Sequence, residues 1–89
     1  MKPKPHIEDY IQDWEIEDAV RRINDGAQVA LIDAKPAVIT NWDKDTMILT
    51  VVDGEGRIRE LSIDFVITQF VKLYGMKPVN GMMTLVQIF

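Results

Sequence analysis

The sequence predicts a mainly β fold of the α+β class: a small bent antiparallel sheet, or a five-to-six-stranded barrel, with an N-terminal helix packed on it. Three observations carry that reading. Residues 7–24 place apolar side chains at helical spacing, the pattern changes to short runs rich in β-branched residues after Gly26, and Asp53-Gly54-Glu55-Gly56 punctuates two such runs with a hairpin turn. At 89 residues, with 47% hydrophobic and 27% charged residues, the chain is sized and composed for one domain over residues 7–89, with residues 1–6 as a mobile arm.

The arm alternates Lys and Pro as far as His6, and proline both lacks an amide donor and pushes its predecessor toward extended conformations. From there Ile7, Tyr10, Ile11 and Trp14 form one helical stripe, and Ile16, Ala19, Val20 and Ile23 form a second, out of phase with the first. The shift predicts a first turn or two ending near Asp13, whose carboxylate caps a second helix running to Asn24. Gly26 ends the helical segment of residues 7–25, with Arg21 and Arg22 placed to complement its negative end.

The sheet occupies residues 27–89. Gln28 to Asp33 is the first strand, Ala34-Lys35-Pro36 the first turn, and Ala37–Trp42 with Thr46–Val52 a hairpin joined by Asp43-Lys44-Asp45. After the Asp-Gly turn, Arg57–Leu61 is a fourth strand with Ile58 and Leu61 directed to the core. Ser62 caps a short helical turn, Phe70–Tyr74 is a fifth strand, Lys77–Gly81 a turn, and Met82–Phe89 the last strand.

The phrases Val29-Ala30-Leu31-Ile32, Pro36-Ala37-Val38-Ile39, Met47 to Asp53 and Arg59-Glu60-Leu61-Ser62, followed by the short turn from Ser62, resemble the small barrels of the Src-homology and Tudor type. The resemblance covers residues 26–74 at the level of fold. It implies a binding module for peptides, nucleic acids or proteins.

Composition excludes several chemistries. There is no cysteine for a disulfide, thiolate or metal site, and one histidine, His6, on the arm. No cofactor and no metal site are expected, and no enzymatic activity. The absence of an apolar run long enough for a membrane span or a signal peptide gives a cytoplasmic expectation. The carboxylate pairs Asp43/Asp45 and Asp53/Glu55 fall in turns, where acids serve chiefly as turn formers.

Formal net charge is −4, which opposes binding to nucleic acid. Its uneven placement is the main functional signal. Glu8, Asp9, Asp13, Glu15, Glu17 and Asp18 follow one another without an intervening Lys or Arg, and with Trp42 they are the predicted partner-binding residues. The expected function is a non-enzymatic protein-interaction module, an inhibitor or adaptor of the kind phages and plasmids encode, that binds a basic protein through this acidic helix. Two alternatives stand beside it. One is a nucleic-acid-binding barrel using Arg57, Arg59 and Lys72 on phosphates, with Trp42 stacking on a base; separately, Trp42 with Phe65 or Tyr74 is a candidate aromatic groove for proline-rich or methylated ligands. The other is a structural homo-oligomer formed through the unpaired edge at Leu85–Phe89. Met76, Met82 and Met83 surround the last turn as gap fillers or as an adaptable interface.

Overall fold

A computed structural model describes residues 11–89. The predicted arm and residues 7–10 of the first helical turns, with Glu8 and Asp9, lie outside the described residues, while Ile11 and Gln12 are not helical. A helix α1 (Asp13–Asn24) precedes four consecutive strands, β1 (Ala27–Ile32), β2 (Lys35–Asp43), β3 (Ile48–Asp53) and β4 (Ile58–Ser62). A short helix α2 (Ile63–Thr68) then leads to β5 (Lys72–Val79) and β6 (Met82–Gln87). The strands form one antiparallel sheet in the order β4-β3-β2-β1-β5-β6, and it does not close into a barrel. The interior place of β1 is the key to the topology: the first four strands form a meander, and the chain crosses by way of α2 to pair β5 along the other side of β1. No helix among the described residues is long and apolar enough to cross a membrane.

The stripe Ile16, Ala19, Val20, Ile23 seats α1 as its spacing requires, with Ala19 and Ile23 buried and Ile16 and Val20 packed against the core. Its start differs from expectation. Gln12, not Asp13, is the extended N-cap residue, and the Glu15 carboxylate three positions on accepts the Gln12 N–H at 2.7 Å. Asp13 is thus the first helical residue. Gly26, at φ +110°, turns the chain out of the helix, and its N–H donates to Ile23 O at 3.1 Å.

Cross-strand partners share a face and neighbours along a strand alternate, so the register defines the two sides of the sheet. Leu73, Ala30 and Ala37 lie in register on one side, with Leu49, Val51 and Leu61. They form the core together with Ala19 and Ile23 of α1 and Ile63 and Val66 of α2, so both helices cover this side. A bulge at Thr40 resets the alternation on β2, returning Trp42 to the helix-covered side opposite Leu49.

Four connections depart from the sequence reading, the first being β2–β3, where Asp43 still belongs to β2 and β3 starts only at Ile48. The β1–β2 connection is the two-residue turn Asp33-Ala34, both at positive φ (50° and 63°), so Lys35 and Pro36 belong to β2. The pair Asp-Ala carries no glycine or asparagine, and the turn therefore lacks its usual mark. The β5–β6 turn is Asn80-Gly81 alone, and Pro78 sits within β5 opposite Met83. Pro78 is tolerated because its missing donor faces away from β6, beyond the Ala27–Gly75 pair at which β1 begins. Phe70 precedes β5 instead of starting it, ending α2 at φ +52°.

Ile58 is a further correction. It is 72% exposed whereas Leu61 is buried. Residues three apart on a strand cannot share a face, and Leu61 takes the core side opposite Leu49.

Candidate functional site

The acids predicted to form a contact surface are divided by the structure. Asp18, in the middle of α1, accepts from Arg22 Nε at 2.9 Å and from Arg21 Nη2, and the Arg22 contact is the main cause holding its carboxyl below the usual aspartate range. Glu15 is occupied by the Gln12 N–H. Asp13 and Glu17 are exposed and make no ion pair among the described residues. The negative field of α1 is therefore partly cancelled by two arginines of the same helix.

Trp42 is half-buried and packs against the core, and its Nε1–H donates to Asn24 Oδ1 at 2.9 Å, tying β2 to the end of α1. Phe65 lies on the same helix-covered side, packed against the core, whereas Tyr74 stands on the opposite side. The three do not converge on one groove.

The loop carboxylates are turn formers. Asp43 Oδ1 accepts from the N–H groups of Asp45 (2.9 Å) and Thr46 (3.3 Å), and these backbone donors, Thr46 foremost, lower its pKa. Asp53 Oδ1 accepts from the N–H groups of Glu55 and Arg57, both at 2.9 Å, while Oδ2 meets Arg57 Nε at 3.0 Å; the Arg57 N–H is the leading cause of its lowered pKa. Asp25 at the end of α1 is lowered chiefly by the hydrogen bond from Lys77 Nζ at 2.7 Å. Every resolved shift is thus downward, leaving strongly ionised carboxylates that are poor proton acceptors. Among the described residues no group of three or more His, Cys, Asp or Glu is placed to hold a metal ion.

The cations of the nucleic-acid alternative do not assemble either. Arg57 is engaged by Asp53 and by Glu55, the latter at 2.8 Å. Arg59 stands on β4 in register with Val51, on the helix-covered side. Lys72 stands on β5 in register with Leu31, on the opposite side. Three strands separate them.

The feature that sequence reasoning missed is the side of the sheet that carries no helix among the described residues. Tyr74, Val29, Val38, Val52 and Ile58 lie in register across β5, β1, β2, β3 and β4, forming one apolar row from strand to strand. Val38 is 58% exposed and Ile58 72%, with Val29, Val52 and Tyr74 half-buried between and beside them. On the hairpin, Met76, Pro78, Met83 and Leu85 continue the same side. The signal was present in the sequence as strands apolar at consecutive positions, such as Val29–Ile32 and the pairs Ile48-Leu49 and Val51-Val52, which is how a sheet apolar on both faces is written.

Comparison with known proteins gives no relative: no family model, no curated protein and no solved structure matches this chain.

Proposed function

We propose that the protein is a non-enzymatic protein-interaction module whose contact surface is the helix-free side of the sheet, centred on the row from Tyr74 to Ile58. The observation that carries this reading is the continuity of that row. Five apolar side chains in register on a rigid sheet, with its two most exposed members on β2 and β4, make a patch of the kind that in soluble domains marks a binding surface. The partner is another protein that presents apolar side chains to the row. The net charge of −4 favours the approach of a basic partner from any direction, and the exposed Asp13 and Glu17 add to that field. The acidic helix thereby acts on encounter, and the apolar row on the bound state.

The strand order supports the module reading. A four-strand meander, a short helix and a fifth strand returning to β1 are compatible with the small Src-homology and Tudor-type folds, which mostly bind other molecules. An inhibitor or adaptor acting in the cytoplasm is consistent with that architecture and with a chain free of cysteine.

The test is capture by the tagged full chain from its native host, comparing wild type with V38K/I58K and with E15K/E17K. The row reading expects a protein retained by wild type and lost with V38K/I58K, while circular dichroism shows both variants folded. Retention by V38K/I58K together with loss in E15K/E17K would transfer the site to α1 and overturn it.

A further inference from the structure

Among the described residues, β6 has β5 on one side and no strand on the other. The two-residue turn Asn80-Gly81, with φ of 51° and 81°, closes the hairpin on a hydrogen-bonded Val79–Met82 pair. Alternation then makes Lys77–Thr84 and Gly75–Val86 the next bonded pairs, and the Ile88 N–H continues the phase by donating to Leu73 O at 2.8 Å. The backbone N–H and C=O groups of Met83, Leu85 and Gln87 consequently point away from β5, along the open edge.

The two edges of the sheet are unlike. β4 carries Arg59 and Glu60, charges of the type that discourage a neighbouring strand. β6 reads Met-Met-Thr-Leu-Val-Gln, with no charge, proline or glycine, and Met82, Met83 and Leu85 are 71%, 62% and 45% exposed. An uncharged, apolar edge with its backbone groups presented outward is a template for another strand.

We propose that β6 pairs antiparallel with β6 of a second copy of this chain, about a two-fold axis at Leu85. The register is self-complementary. With Leu85 opposite its own equivalent, Met83 falls opposite the equivalent of Gln87, and all three outward-pointing residues take part in bonded pairs. Because β6 holds no ionisable side chain, the two-fold brings no like charges face to face along the shared strands. The inference rests on the backbone edge of β6 and not on the row from Tyr74 to Ile58, although Met83 and Leu85 lie on the same side of the sheet as that row.

The experiment measures the mass of the full chain in solution from about 1 µM to about 1 mM, alongside L85K and single-cysteine variants L85C and V38C. The chain has no native cysteine, so a cross-link reports only the position chosen. The pairing expects a dimer that grows with concentration, a dissociation constant raised roughly tenfold or more in L85K, and disulfide cross-linking of L85C well above that of V38C. L85K is expected to melt as wild type does. If it does not fold, the cysteine pair decides. A monomer throughout, a species larger than a dimer, an unaffected L85K dimer, or equal cross-linking at 38 and 85 would each overturn the proposal.

Discussion

Gly75 lies directly against the carbonyl of Gly26: a β-carbon at position 75 would stand 2.6 Å from Gly26 O. β5 comes this close where β1 begins, beside the irregularity between Ala27 and Val29 in the β1–β5 ladder. The obstacle is backbone, which cannot swing aside as a side chain can. Gly75→Ala is expected to destabilise the fold by roughly 1–3 kcal/mol, read as a lowered denaturation midpoint in urea.

The Trp42–Asn24 hydrogen bond joins the far end of β2 to the last residue of α1. Asn24→Ala is expected to lower stability by about 1 kcal/mol and to change the tryptophan emission of Trp42. Trp42→Phe removes the donor as well, and the two substitutions together are expected to cost less than their sum. A double-mutant cycle by chemical denaturation measures the difference.

Asp18, Asp25, Asp43 and Asp53 all have pKa values below the ordinary aspartate value of 3.8 in the folded protein. A carboxyl with a lowered folded pKa contributes stability that is present above its unfolded value and is lost as pH falls through the folded one. Thermal melts are therefore expected to be insensitive to these groups from neutrality to about pH 5 and to shift to lower temperature under stronger acid. Asp53→Asn, which keeps an acceptor for the turn but loses the ion pair with Arg57, is expected to flatten part of that acid dependence.

Phe70 ends α2 in a conformation that suits glycine. Its N–H donates to Ile67 O at 3.4 Å, that of Val71 to Val66 O at 3.0 Å, and Phe70 itself is held at φ +52° with 85% of its surface exposed. Phe70→Gly gives up little burial and removes the left-handed strain. It is expected to raise stability by roughly 1 kcal/mol, seen as a melting temperature higher by roughly 4–8 °C.

Elements whose signals are local were legible in the sequence. Ser62 accepts the Phe65 N–H at 3.1 Å as its capping role requires, Gly26 ends α1, and the Asp53 turn forms between β3 and β4. Most of what escaped reading depends on partners distant in the chain. Pro78 looks like a turn residue until β1 is seen to stop short of it, whereas Asp33-Ala34 is a local turn that escaped because it lacks the glycine or asparagine that usually marks one. Ile58 is exposed because Leu61 takes the core place beside Leu49. The apolar row that carries the candidate site was not legible in the sequence. Carboxylates can be counted along the chain, but Val38 and Ile58 become neighbours of Val52 only through the register of β2 and β4 with β3.

The place of β1 within the sheet has a consequence for biosynthesis. β2 follows β1 directly in the chain, whereas the flank of β1 that β5 covers has no partner strand until β5 has been made. The nascent meander therefore carries a temporary seam along Ala27–Leu31, and a chain stopped before Lys72 would keep that seam open to any passing strand.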